Sequence, residues 1–483
     1  MKGHSPVSDD SDSPPEPTPR KRRRWGCLAL GLLVPAVLLV GGYVFLRVRA
    51  NQELREAVAE ADRLDPGWRL EDVEAARLQL PDQENSALQV TAVAALVPPG
   101  WAGSTAFSDL FVNLPPERQL NEAQVKALRA ELQKVAPALQ KARRLADMPR
   151  GHYLIHWSPD FITTPIPDVL RARKVAYLLE QESLLRAQEK GSDSALRSVR
   201  AGVNVARSLD DTPLLMGQLV RIACRSVALV SLERVLAQGE PSPADLAELQ
   251  HALEEEERQP DLLTGLRGER AGKDMLLRNV ESGQVPLSLL LKLSGPGGAL
   301  RPEVTPLLAA GGIPRQHAAL LRALTEMTEA AKQPMPGPVQ EFQELESAKR
   351  DGPLLVRVLA PAMMKMGRAS QHGLARTRCA IILLAAERYR RERGRWPTSL
   401  PALVQAGYLR EVPADPYDGQ PLRLRRRADG LVVYAVGPDG KDDGGNLDRE
   451  GGYLVGTDLG VRLWDVPHRR QAPLPSPGGP GSK

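Results

Sequence analysis

CAIILLAAERYRRERGRWP, residues 379–397, decides the architecture. Cys379 to Ala386 is apolar on every side, and a helix of that kind has to be covered on more than one face. The chain turns polar from Glu387 and meets Gly394, the residue type that ends helices most readily. Working back, helical spacing continues to Leu354, directly after Pro353, so one long helix is expected over Leu354 to Arg393. Downstream the texture changes. Pro401 to Ala406 reads as a short helix and Asp415-Pro416-Tyr417-Asp418-Gly419 as a turn. Pro421 to Arg427 and Leu431 to Val436 alternate as two strands, with Asp429-Gly430 as the hairpin turn.

Upstream, residues 50–350 read as helices. Leu196, Val199, Val203 and Ala206 recur at three and four residues, the period of one buried helix face. From Val169 to Glu257, four helices joined by short turns predict consecutive hairpins in an irregular antiparallel array. Thr212 before Pro213 and Ser242 before Pro243 carry the signal of a cap followed by a first-turn proline. Asn121 is expected to cap a helix from Glu122 to Leu145, and further helices are expected over Leu262–Val280 and Pro314–Lys332. Pro- and Gly-rich joints fall at Ser294–Gly298, Gly311–Pro314 and Pro334–Pro338. Glu254 to Glu257 reads as a solvated helix end.

At the other end, Arg20-Lys21-Arg22-Arg23-Arg24 precedes an uncharged run from Trp25 to Leu46. Those 22 residues make a helix of roughly 33 Å, enough for a bilayer core. The cations put the preceding tail, residues 1–24, in the cytoplasm and everything from about residue 50 outside it. A cleaved signal peptide is the competing reading, since Val48 and Ala50 offer small residues, but the run is long and Arg47 and Arg49 crowd the site. Arg outnumbers Lys more than threefold, a bias that fits a GC-rich bacterial genome, so the outer compartment is expected to be the periplasm and the membrane the inner one. The formal charge of +5 is mostly this signal's doing. Residues 1–24 hold six Lys/Arg and four Asp/Glu, leaving 58 and 55 in the other 459, a nearly neutral body. Three cysteines exclude a disulfide scaffold, and Cys224 and Cys379 read as buried small hydrophobes.

The C-terminal order resembles the globular part of type II secretion pseudopilins, the major G-type subunit in particular. The likeness is carried by Tyr389-x-x-x-x-Gly394-Arg395-Trp396-Pro397 ending a long helix, Leu400-x-x-Leu403, Asp415-Pro416, the hairpin, and Gly437-Pro438-Asp439-Gly440-Lys441-Asp442-Asp443-Gly444-Gly445-Asn446-Leu447-Asp448. It covers about 80 residues. The resemblance implies an α+β unit over residues 353–466, a place at the secretion machinery, and calcium held by the terminal loop. Its ligands would be Asp439, Asp442, Asp443 and Asp448, with Asn446 as a supplement. In that family the membrane helix is the same one that packs on the sheet. Here it lies some 320 residues upstream and carries no carboxylate. The remaining ectodomain resembles membrane-anchored bacterial proteins of unassigned function.

The loop also speaks for itself. Calcium takes six to eight oxygens, and four aspartates, an asparagine and three glycines within ten residues can supply them. A solvated Asp/Gly turn fits the same letters. His152 and His156, with Asp160 nearby, could be read as a metal pair, but zinc sites need three or four ligands with a supporting shell and no HExxH or Cys cluster is present. Arg423, Arg425 and Arg427 fall on one strand face, where charge guards an edge. No nucleophile elbow, phosphate loop or dinucleotide fingerprint is present, and nucleic acid is not an expected partner.

The expectation is therefore a mainly α protein: one transmembrane helix over 25–46, a helical array, a small pseudopilin-like α+β unit, and a disordered tail over 467–483. Its expected function is non-enzymatic, protein–protein interaction at the cell envelope. A metal-free helical scaffold and an envelope hydrolase with a dispersed site are the alternatives.

Overall fold

Helix α13 (Leu354–Arg393) is the spine of this computed structural model, which describes residues 22–101, 114–289, 312–348, 352–447 and 457–474. Before it, in chain order, come α1 (Arg22–Leu64), α2 (Leu70–Ala75), α3 (Ser86–Leu96), α4 (Glu122–Lys134), α5 (Ala136–Ala142), α6 (Pro167–Gln188), α7 (Ser192–Arg207) and α8 (Leu215–Gln238). They are followed by α9 (Pro243–Glu257), α10 (Asp261–Glu281), α11 (Gly312–Ala330) and α12 (Gly337–Ala348). Beyond α13 lie α14 (Leu400–Gln405), β1 (Arg423–Arg427), β2 (Gly430–Ala435) and β3 (Leu459–Trp464).

The bounds of α13 match those read from its punctuation, and Gly394 closes it at φ 69°. Its first half carries Leu355, Met363, Met364 and Met366 into a core with Leu276 and Leu277 of α10, Leu320 and Leu324 of α11, and Phe342 of α12. Its second half is buried on both flanks, as an all-round apolar helix requires. On one side Ala375 to Ala386 meets Leu196, Leu232, Leu236 and Leu249 of α7–α9. On the other it meets Leu431, Val433, Val461 and Leu463 of the sheet. The sheet is an antiparallel meander, β1-β2-β3. Strand β3 is a surprise to the sequence reading. Its backbone is tied to α8 where the Arg462 amide donates to Glu233 Oε1 at 3.0 Å.

Helices α6, α7 and α8 pack on one another in succession, as the short turns imply, but α9 departs from the expected run of consecutive hairpins and packs on α7 and α13 instead of on α8. Ser242 caps α9, its Oγ accepting from the Asp245 amide at 3.1 Å. Three expectations are corrected. The helix from Asn121 breaks at Val135, because Pro137 has no amide to give and its ring crowds the preceding turn. Thr212 is not a cap: α8 starts at Leu215, and Gln218 Nε2 takes the Thr212 carbonyl at 2.8 Å. Pro334–Pro338 is too short a joint to hold its whole expected length, since α12 begins at Gly337. The chain also stays on the body past residue 467: the Arg470 amide donates to Ala237 O at 3.1 Å and the Gln471 amide to Glu117 O at 2.7 Å. The joints expected at Ser294–Gly298 and Gly311 lie outside the described residues.

Helix α1 has 43 residues and is about 65 Å long. Leu33 to Arg49 is exposed, then Ala50, Ala57 and Ala61 are buried. Ala57 and Ala61 pack with Trp68 against Ala318 and Leu321 of α11. The two helices run in the same direction, since Glu53 reaches Arg315, Glu56 reaches Arg322 and the Leu64 carbonyl reaches Lys332. Among the described residues two helices are long and apolar enough to cross a membrane, α1 and α8. α8 lies mostly buried in the body and is a core helix. The exposed half of α1 is a candidate membrane span or signal sequence.

Candidate functional site

The site begins with four glycines. Gly437, Gly440, Gly444 and Gly445 take φ of 75°, 69°, 72° and 76°, a left-handed conformation that side chains disfavour, and so the loop after β2 coils tightly. Space adds a second demand at two of them. A Cβ on Gly444 would stand 2.2 Å from Arg425 Nη1, and one on Gly445 would stand 3.0 Å from the Tyr434 ring.

The coiled loop lies on the face of β1 that carries Arg423, Arg425 and Arg427. Arg425 Nη1 donates to Gly444 O at 2.8 Å. Arg427 Nη2 donates to Gly444 O and Gly445 O, both at 2.9 Å. Arg423 Nε stands 3.5 Å from Asp442 Oδ2, while its other nitrogens hold Asp415 and Asp418. The three arginines do share one face of an edge strand, as alternation predicts, and there they clamp the acidic loop.

Within the loop, Asp442 Oδ1 accepts from the Gly444 amide at 2.8 Å and from the Tyr434 hydroxyl at 3.1 Å. Burial and this carboxylate push the Tyr434 hydroxyl up to about 12. Asp439 Oδ1 accepts from the Lys441 amide at 3.1 Å. The residue missed by the sequence reading is Asp458. Its carboxylate is buried and accepts from the Asp443 amide at 3.2 Å and the Gly445 amide at 2.6 Å. Its own amide donates to Asn446 O at 2.8 Å. Burial, with Asp442 and Asp443 adding like charge, raises its carboxyl above the usual carboxylate range. An aspartate directly before a short alternating strand was the available signal. Asp415, wholly buried, accepts from the Tyr417 and Val436 amides at 2.9 and 2.8 Å, which is why the Asp-Pro turn sits where it does.

Of the expected ligands, Asp439, Asp442, Asp443 and Asn446 lie on this loop and Asp448 lies outside the described residues. Among the described residues, no three His, Cys, Asp or Glu side chains gather in a metal-holding group. His152, His156 and Asp160 go separate ways. His152 Nδ1 meets Asp211 Oδ2 at 3.0 Å, His156 is exposed, and Asp160 accepts from the Thr163 amide and hydroxyl. Cys224 and Cys379 are buried and free, and burial lifts the Cys224 thiol to about 12.

A second charged cluster is internal. The Glu254–Glu257 run is not a solvated end: Glu256 is wholly buried and takes Arg221 at 2.7 Å and Arg225 at 2.8 Å. Arg225 goes on to Asp261 at 3.2 Å, and Ser370 Oγ of α13 donates to Asp261 Oδ1 at 2.5 Å. Glu257 pairs with Arg378 at 2.7 Å. The cluster joins α8, α9, α10 and α13.

Compared with known proteins, the chain matches no family model, no curated protein and no solved structure.

Proposed function

We propose that this chain is a single-pass membrane protein with a cytoplasmic N-terminus and an extracytoplasmic body whose pseudopilin-like C-terminal unit serves protein–protein interaction at the cell envelope, without enzymatic activity. The observation that carries the reading is α1. It passes unbroken from an exposed apolar segment into buried contact with α11, so the same helix that would span the bilayer is built into the body. The five cations before the span favour a cytoplasmic start. The long helix laid across an antiparallel meander, with a clamped Asp/Gly loop at its edge, supports the likeness of the C-terminal unit to pseudopilins. In this reading the clamp keeps the loop's shape fixed for a partner.

Calcium is the second reading, favoured by Asp458. Its carboxyl is raised by burial first, and Asp442 and Asp443 add like charge beside it, charge that a divalent cation would relieve. Asp439, Asp442 and Asp443 would hold it, Asp442 through Oδ1 since Arg423 stands on the Oδ2 side. The test is the full-length chain in detergent, titrated with calcium to millimolar concentration, the affinity range of extracellular sites. Binding heat and a raised melting temperature, both lost in Asp442→Asn/Asp443→Asn, are expected if calcium is bound. Silence in both leaves the arginine clamp as the loop's sole counter-charge. For anchoring, the chain should resist alkaline extraction from membranes, and an externally added protease should cleave the body in intact spheroplasts but not in inverted inner-membrane vesicles. Release by alkali would refute the anchor.

A further inference from the structure

A buried histidine with a carboxylate on each ring nitrogen joins α10 to α11. His317 Nε2 stands 3.0 Å from Asp274 Oδ1, Nδ1 stands 3.2 Å from Glu281 Oε1, and the side chain is only 2 % exposed. A neutral imidazole carries one N–H and one bare nitrogen, whereas an ionised carboxylate only accepts. Both carboxylates are therefore satisfied only by the imidazolium. With one proton gone, a bare nitrogen faces a carboxylate oxygen at hydrogen-bond distance. Asp274 still has Arg278 at 2.7 Å, while Glu281 is a quarter exposed and can turn to solvent. Both partners lie in the last turns of α10, the end at which a helix favours a cation.

The other charged groups around this contact are engaged elsewhere. On α10, Lys273 is turned to Glu269 and to the Phe161 ring. Arg69, just before α2, adds its charge near Asp274 but is bonded to Asp62. From α1, Glu53 approaches Arg315 at 4.0 Å, and Glu56 and Glu60 approach Arg322 at 3.5 and 3.9 Å. α13 gives α11 a neutral group, the Leu355 amide to Gln316, and Glu341 of α12 accepts from Gln333 past the far end of α11. The apolar grip on α11 is uneven as well. Leu320, Leu324 and Met327 seat it in a core with Leu276 and Leu277 of α10. Ahead of them its buried residues are Pro314, Gln316, His317 and Ala318, and Ala318 packs against α1. His317 is thus the polar tie of this end of α11 to α10, two residues from the arginine that meets Glu53 of α1.

We propose that this contact is a proton-operated latch: the doubly protonated imidazole of His317 holds the N-terminal turns of α11 against the C-terminal turns of α10, and loss of one proton lets those turns open ahead of the rest of the fold, loosening the seat of α1. Burial disfavours the imidazolium, but Asp274 and Glu281 outweigh it and raise its pKa. The latch is therefore fully closed below the unfolded value of about 6.5 and opens as pH rises through the folded one. Its bearing on the membrane helix rests on the anchored reading of α1. The latch itself does not, since α10 and α11 meet within the body.

The test is amide hydrogen exchange of the full-length chain in detergent near pH 6 and near pH 9, each rate divided by the intrinsic rate at that pH. Protection of amides 316–321 should fall about tenfold or more on the alkaline side, the loss of one hydrogen bond to a charged group, while amides of α8 keep theirs. Glu281→Gln removes the second carboxylate, so a neutral imidazole can satisfy both neighbours and the pH dependence should shrink. In His317→Gln the protection of these amides should be low and the same at both pH values. Protection in the wild type that does not change with pH would overturn the proposal. So would a fall shared equally by α8, which is global loosening, or a fall that persists in His317→Gln, which would belong to another group. The wild-type comparison stands even if a variant fails to fold. Release of the chain from membranes by alkali would refute the anchor and leave the exchange result as it is, so the two failures are told apart.

Discussion

Two charged clusters in this molecule use the same residue types to opposite ends. At the β1 face, Arg423, Arg425 and Arg427 hold a loop that starts ten residues after the strand, and the contacts are half-exposed. Between α8, α9, α10 and α13, Arg221, Arg225, Glu256 and Asp261 meet from positions up to 40 residues apart, and Arg221 and Glu256 have no exposure at all. The first cluster is wet, and its partners include backbone carbonyls that can trade one donor for another. The second cannot trade. A charge left alone there has no water to turn to. The loop's contacts are accordingly the replaceable ones, and the internal cluster is a weld between helices.

The largest expected effect is at that weld. Glu256→Ala takes from Arg221 its carboxylate and from Arg225 one of two, and should cost about 3–5 kcal/mol, read as a large fall in the denaturant midpoint of the full chain. Glu256→Gln keeps acceptor capacity on one oxygen and should cost less. A loss under about 1 kcal/mol for the alanine variant would place the cluster with ordinary surface pairs.

An intermediate effect belongs to His317, which extends the buried class with a group that titrates near neutral pH. Nearly covered, it stands between two carboxylates of α10, Asp274 Oδ1 at 3.0 Å from Nε2 and Glu281 Oε1 at 3.2 Å from Nδ1. Arg278 also holds Asp274, at 2.7 Å. Burial disfavours the imidazolium, but both carboxylates outweigh it and the pKa is raised. A raised histidine stabilises the fold fully below its unfolded value, about 6.5, and loses that contribution as pH rises through the folded value. The wild type should therefore exceed His317→Gln by about 1.5–3 kcal/mol near pH 6, with the gap narrowing on the alkaline side. Melting curves across pH 6 to 9 check it, and a constant gap would mean the imidazole stays neutral.

What could be read from letters follows the same division. Local punctuation was legible: Pro353 and Gly394 bound α13 and Ser242 caps α9, while the hairpin turn falls one residue earlier than read, at Ala428-Asp429, with Gly430 already in β2 opposite Arg427. The arginine face of β1 follows from alternation alone. Which groups it would hold did not, because Gly444 and Gly445 offer carbonyls, and carbonyls leave no mark in a sequence. β3 was hidden by distance, its pairing with β2 closing across more than twenty residues. Glu256 was misread since a run of four glutamates looks solvated on one helix. Only the approach of α8, which brings Arg221 and Arg225 to it, makes the third one internal. Val135 was misread for a simpler reason: Pro137 was given less weight than the helical spacing around it.

The smallest effect expected is at the clamp, and it sharpens the comparison most. Arg425→Gln/Arg427→Gln removes donors from Gly444 O and Gly445 O, yet both carbonyls can turn to water, so global stability should fall by only about 1 kcal/mol. The local consequence should be larger than the global one. The Gly445 amide donates to Asp458 and the Gly444 amide to Asp442, and both bonds depend on the loop lying against β1. Amide hydrogen exchange at Gly444 and Gly445 should then quicken well beyond what the change in melting predicts, while amides of α8 and α9 stay as slow as in the wild type. Exchange that quickens equally in the loop and in the helices would mean that the clamp is as much a weld as Glu256, and the distinction between the two clusters would fail. Restoration of slow exchange by calcium in this double variant would show a cation doing the work of the two guanidinium groups, since charge on the loop is what both would neutralise.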